Sequence, residues 1–260
     1  MRTLALTNQK GGVGKTTTAV NLSVALARLG HRTLLIDLDP QANATLAFGL
    51  APHELETTTY DLLAGRTTAA RAARELEPKL WLLPANLDLA GAEMELASAI
   101  GREHVLRDRM EGVTDYDYVL VDLPPSLGLL NVNALAYCRQ VLIPMQCEFF
   151  ALHGISLLMR TLHTIKRRLN PELSVGGVIA CMYDARKSLS GETVEEIRRH
   201  FGPKLFRTVI RTNVRLAEAP SHGKSIFDHA PDSHGAEDYL NLARELAGTA
   251  VETASMPAAG

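Results

Sequence analysis

The stretch Lys10-Gly11-Gly12-Val13-Gly14-Lys15-Thr16-Thr17 decides the reading of this chain, because of what stands on either side of it. An apolar run, Leu4 to Leu6, precedes it. A helical pattern carrying Ala19, Leu22, Leu26 and Leu29 follows, and stops at Gly30. Strand, glycine loop and helix in that order make a phosphate-binding loop. Glycine reaches positive φ without strain and offers no Cβ, so successive N–H groups turn inward around an anion. The helix start adds unsatisfied N–H groups and the positive end of its dipole. Lys15 can then reach β- and γ-phosphate oxygens, and the Thr16 hydroxyl can ligate Mg²⁺. Lys10, Gly11, Gly12, Val13, Gly14, Lys15, Thr16 and Thr17 are assigned to nucleotide binding.

Outward from the loop, buried-strand patterns recur with helical patterns between them. Arg32 to Asp37 is almost continuously apolar, as a parallel strand covered on both faces should be, and it runs into Asp37-Leu38-Asp39-Pro40-Gln41. Ligands of open α/β sheets bind beyond the carboxyl ends of the strands, so these carboxylates are placed for Mg²⁺ or for water. Tyr116 to Leu123 is a second such strand, followed by Pro124-Pro125-Ser126, and Asp122 stands at its tip. A carboxylate there can hold the hydration shell of Mg²⁺ without crowding a small octahedral ion. Further strands are expected at Lys79 to Leu83, Gln140 to Met145, Ser174 to Tyr183 and Leu205 to Ile210. Helices are expected at Leu87 to Met110, His153 to Leu169, Gly191 to Phe201 and His234 to Ala247, with short alanine-rich helices from Ala42 to about Arg74. The alternation predicts one α/β domain, residues 1–248, with a mostly parallel twisted sheet and helices on both faces, then a flexible tail, 249–260.

Composition narrows the classes. No apolar run reaches the ~20 residues that cross a bilayer, and the N-terminus enters a strand too soon for a signal peptide, so a cytoplasmic location is expected. Cys138, Cys147 and Cys181 are too scattered for a disulfide framework or a zinc site. A net charge of −2 gives no global attraction to nucleic acid, so any DNA site must be a local patch. Arg186, Lys187, Arg211, Arg215 and Lys224 fall on loops at what would be one end of the sheet.

The loop departs from the general phosphate-loop pattern in carrying Gln9 where a glycine is usual, and in holding a second lysine, Lys10. In this it resembles the ParA/MinD family of deviant Walker ATPases, most closely the chromosomal ParA (Soj) branch. Asp37-Leu38-Asp39-Pro40-Gln41, Asp122-Leu123-Pro124-Pro125, the segment Gln146 to Leu152 and the loop Arg211 to Ser221 are similar to motifs of that family, and the resemblance runs from Arg2 to about Leu246. It implies that Asp39 orients the attacking water, with Asp37 structural or supporting it from behind. The segment Gln146 to Leu152 would pack and meet a partner chain, Ile210 and Asn213 would lie near adenine, and Arg186 and Arg215 would touch DNA. Relatives often have Pro-Arg where this chain has Arg211-Thr212.

The function implied is ATP hydrolysis coupled to partition of a chromosome or plasmid, with ATP and Mg²⁺ as cofactors. Lys10 would reach into a second copy's site, so that an ATP-bound homodimer forms, binds double-stranded DNA without sequence preference and lets go on hydrolysis. Lys10, Lys15 and Asp39 would carry the chemistry, with Thr16, Asp39 and Asp122 around the metal. A ParB-type centromere-binding partner would stimulate turnover, and the protein would sit on the nucleoid. The 249–260 tail has no Lys or Arg and contains Pro257, unlike the membrane-binding helix of MinD-like proteins, so no membrane contact is expected. The absence of a DNA-reading domain before the loop argues against the larger plasmid ParA type. Two rivals stay open: a small-molecule ligase or kinase on the same loop, and a cargo-positioning ATPase that never touches DNA.

Overall fold

In the computed structural model, which describes residues 1–148 and 154–248, eight strands form one sheet. They are β1 (Arg2–Leu6), β2 (Thr33–Asp37), β3 (Arg74–Glu77), β4 (Leu80–Leu83), β5 (Tyr118–Asp122), β6 (Gln140–Gln146), β7 (Ser174–Tyr183) and β8 (Ile210–Arg211). The order is β3-β4-β2-β5-β1-β6-β7-β8, and every pairing is parallel except β3 with β4.

The continuous apolar character of the central strands has a direct structural cause. Successive side chains of a strand point to opposite faces, and here both faces are covered. Ala5, Leu34, Ile36, Val119 and Val121 join one core, beneath helices that include Leu129–Tyr137, Ile155–Arg168 and Ser188–Phe201. Leu4, Leu6, Leu35 and Leu120 join the other, beneath the helices Lys15–Arg28 and His234–Ala247. Those last two helices are tied by a buried hydrogen bond between the Thr18 and Tyr239 hydroxyls, 3.1 Å. Pro144 sits inside β6 without breaking the sheet, because β1 has ended by then and the Asn8 amide donates to the Pro144 carbonyl instead, 2.7 Å.

Two sequence expectations need correction. Leu205 to Ile210 is not a continuous strand: the Glu245 carboxylate accepts the Arg207 and Thr208 N–H groups at 2.7 and 3.0 Å, so only Ile210–Arg211 pairs with β7 and Leu205 makes one isolated bridge. Leu87 to Met110 divides into Leu89–Leu96 and Val105–Arg109, with Gly101 at φ +70° between them. The short helices expected from Ala42 to about Arg74 are present, at Asn43–Ala47, Thr59–Leu63 and Ala69–Ala72. The strand β3 after them was not expected, and its charged Arg74-Glu75-Leu76-Glu77 suits an exposed antiparallel edge. Phe149 to Leu152 and the 249–260 tail lie outside the described residues.

Gly49 and Gly223 bring two loops into backbone contact, both at positive φ. A Cβ on Gly223 would stand 2.6 Å from the Gly49 Cα. Gly223→Ala should therefore cost about 1–3 kcal/mol more than Gly112→Ala, whose backbone has the same handedness but opens onto free space. Equal losses in denaturant titration would contradict a packing role for that contact.

Candidate nucleotide and metal site

Register places the site. β2, β5 and β1 are neighbours, Asp37 pairs with Asp122 and Leu6 with Asp122, so both carboxylates stand at the carboxyl edge just where β1 gives way to the glycine loop. Gly12 and Gly14 take φ +74° and +89°, and the Thr18 N–H closes the first helical turn on the Gly14 carbonyl, 2.9 Å. A cleft of about 970 Å³ opens there, lined by Gly11, Gly12, Gly14, Lys15, Thr16 and Thr17 among others. Val13 is buried beneath the loop.

Lys15 is buried, and burial pushes its ammonium pKa down while Asp122 and Asp39 oppose the shift. Asp122 is fully buried, and neither carboxylate oxygen has a hydrogen-bond partner among the described residues. Burial, then the charge of Asp37, pushes its pKa up to about 8, with Thr16 and Lys15 offsetting part of the effect. A buried carboxylate that is compensated only in part is costly unless a further cation or a proton accompanies it. Mg²⁺ fits this set: Asp122, the Thr16 hydroxyl and Asp39 are the residues that would hold it or its waters. Among the described residues no group of three His, Cys, Asp or Glu side chains could hold a metal ion.

Asp39 lines the cleft, and its Oδ1 accepts the Gln41 N–H at 3.0 Å. Lys10 does not line the cleft: it is exposed, and its Nζ lies 3.4 Å from Glu148 Oε2. Ile210 is buried in the core and the Asn213 side chain caps the helix Val214–Glu218, so neither lines the cleft. From the same region Pro220, Ser221 and Gly223 do, together with Met182, whose φ of +56° is unusual for a side-chain-bearing residue. Pro220 and Ser221 close the Arg211 to Ser221 motif and Gly223 lies just beyond it, but periodicity gives no way to know which of these residues turn inward. Gln41 and Asn43 also line the cleft, just after Asp39.

The basic residues follow the adjacent parallel strands β7 and β8, which puts their loops at the same edge. Arg186 is bidentate to Asp184, both contacts 2.9 Å, and Arg215 contacts Glu218 at 2.8 Å. Arg211 is held by Asp238 and by Glu237 at 2.6 Å. Lys187 and Lys224 are exposed.

These carboxylates give a pH signature. Asp37 is pushed up to about 6 and Asp122 to about 8, above the 3.8 of an ordinary Asp. From 3.8 up to each raised value the folded state holds a proton that the unfolded chain has lost, so stability of the protein without Mg²⁺ and nucleotide falls as pH rises. For each group the loss approaches ~1.4 kcal/mol per pH unit between its ordinary value and its raised one, and ends above the raised value. Thermal unfolding in chelator should show a falling midpoint from about pH 5 to pH 8, and Asp122→Asn should flatten its upper part. A midpoint that rises across that range would contradict the assignment.

An AAA domain family model matches residues 1–175. The chain is 47% identical over 246 residues to the sporulation initiation inhibitor protein Soj of Bacillus subtilis, covering 94% of this chain and 97% of that one. It is 47% identical over 250 residues to the chromosome partitioning protein ParA of Caulobacter vibrioides, covering 95% and 94%. Among solved structures, cobyrinic acid a,c-diamide synthase from Mycobacterium smegmatis, with an ATP analogue and magnesium bound, superposes with a TM-score of 0.83 at 33% identity over 95% of this chain and 94% of that one. With its glycine loop, its strand-end carboxylates and this kinship over nearly its whole length, the chain belongs to the ParA/Soj family of AAA-domain P-loop ATPases.

Proposed function

We propose that this ATPase partitions DNA by an ATP-gated change of oligomeric state. The observation that carries the reading is Lys10: it belongs to the glycine loop, yet it stands outside its own cleft, exposed and against Glu148. A lysine so placed can serve the cleft of a second copy, while Lys15 serves its own. Two chains would then enclose two ATP molecules face to face.

Each side chain has a task in hydrolysis. Lys15 and the loop N–H groups hold the phosphates, Lys10 of the second copy adds positive charge, and Asp39 orients the water. Thr16, Asp39 and Asp122 hold Mg²⁺ and its waters, and the metal when bound neutralises charge on the β- and γ-phosphate oxygens. Thr17 lies beside them in the cleft. Residues 1–248 would act as the ATPase domain, with 249–260 as a tail.

Dimerisation would double a weak basic surface made by Arg186, Lys187, Arg215 and Lys224, raising avidity for double-stranded DNA without a new contact. Arg211, already held by two carboxylates, would support that surface from behind. The ATP-bound dimer would sit on the nucleoid within the cytoplasm, and a ParB-type partner would stimulate hydrolysis and so release the DNA. No helix among the described residues is long and apolar enough to cross a membrane.

Retention on double-stranded DNA should require ATP and weaken with salt. Arg186→Glu and Arg215→Glu should each lower retention at least about tenfold and make its salt dependence shallower. Asp39→Ala should prolong it. Retention unchanged by both charge reversals would overturn the surface, and no retention in any nucleotide state would favour a cargo-positioning ATPase instead.

A further inference from the structure

We propose that Asp37 and Thr45 form a clamp that sets the position of Asp39, which makes Asp37 a positioning residue for hydrolysis rather than a ligand. This rests on the reading of Asp39 as the group that orients water. Asp37 is fully buried and does not line the cleft, so it meets neither nucleotide nor solvent directly. Its two oxygens instead face the two ends of one turn. Oδ1 accepts the Asp39 N–H at 3.2 Å, and Oδ2 accepts both the Thr45 N–H at 2.8 Å and the Thr45 hydroxyl at 2.7 Å. The Thr45 hydroxyl oxygen in turn accepts the N–H of Ala85, 2.9 Å, which fixes the clamp to the chain beyond β4.

The turn between these ends needs holding. Ala42 takes φ +52°, a left-handed conformation that costs a side-chain-bearing residue energy. Its N–H donates to the Asp39 carbonyl at 2.8 Å, while the Gln41 N–H occupies Asp39 Oδ1 at 3.0 Å. Asp39 Oδ2 accepts no hydrogen bond among the described residues, which leaves it for water. Displacement of a catalytic group by about 1 Å can lower a rate about 100-fold, so a clamp on the backbone of Asp39 bears on turnover without touching ATP.

Three donors converge on Asp37, and the two backbone N–H groups among them can only donate. An asparagine offers one oxygen, so its NH₂ group must face the N–H of either Asp39 or Thr45, and one end of the turn is released. Thr45→Val loses the hydroxyl and strands the Ala85 N–H; Thr45→Ser keeps both hydrogen bonds.

The test is steady-state hydrolysis together with affinity for a non-hydrolysable ATP analogue in Mg²⁺, on Asp37→Asn, Thr45→Val, Thr45→Ser and Asp39→Ala. Thr33→Val serves as a buried-hydroxyl control remote from the cleft. Asp37→Asn and Thr45→Val should lose at least about tenfold in kcat with analogue affinity within about threefold, and Thr45→Ser should recover most of the rate. Thr33→Val should keep its rate even if its melting temperature falls. The clamp is overturned if Asp37→Asn and Thr45→Val keep full kcat while Asp39→Ala loses it. It is also overturned if rate and analogue affinity fall together and Thr45→Ser restores neither. Full hydrolysis by Asp39→Ala would instead remove the underlying reading, and the clamp with it. Should Asp37→Asn fail to fold, the Thr45 pair decides alone.

Discussion

Asp122 is the constraint around which the rest is arranged: a fully buried carboxylate, beside Asp37 on the next strand, with no hydrogen bond of its own among the described residues. A well-packed protein interior does not hold such a group without a penalty, and its raised pKa is the measure of that cost. Lys15 offsets part of it from the glycine loop. Mg²⁺ and phosphate would offset more, so the nucleotide-bound state gains from the very defect that penalises the empty one. A destabilised carboxylate at the end of a central strand would take a cation there at a gain in stability.

The parallel sheet makes that placement possible. Burial on both faces leaves only the strand ends for polar work, and the order β2-β5-β1 gathers Asp37, Asp39, Asp122 and the glycine loop at one edge. β7 and β8 send their basic loops to the same edge. The arginines there are not bare cations: Arg186, Arg211 and Arg215 each hold a carboxylate in this chain. A phosphate backbone would have to compete with Asp184 and Glu218, as the proposed weak, dimer-dependent surface requires.

Much of this was legible in the residues. The glycine loop, Asp39 and Asp122 declare themselves because strand, loop and carboxylate follow one another locally, and local order survives into the fold. Both cores were legible too, since a short strand that is apolar at every position must be covered on both faces. What escaped was whatever depends on contacts distant in sequence. Glu245 capturing the N–H groups of Arg207 and Thr208 cannot be foreseen from either segment alone. Met182 reaches the cleft through a left-handed turn that no pattern in Ala180-Cys181-Met182-Tyr183 announces. Thr45 looks like any polar residue of a short helix until its partner Asp37 is seen behind it.

The central claim is that ATP joins two chains through Lys10, and mass in solution tests it most directly. Light scattering of Asp39→Ala after size exclusion, with Mg²⁺ and either ATP or ADP, should give twice the chain mass of 28.3 kDa with ATP and that mass alone with ADP. Adding Lys10→Ala should return the ATP sample to a single chain. A monomer with ATP, or a dimer indifferent to both nucleotide and Lys10, would contradict it.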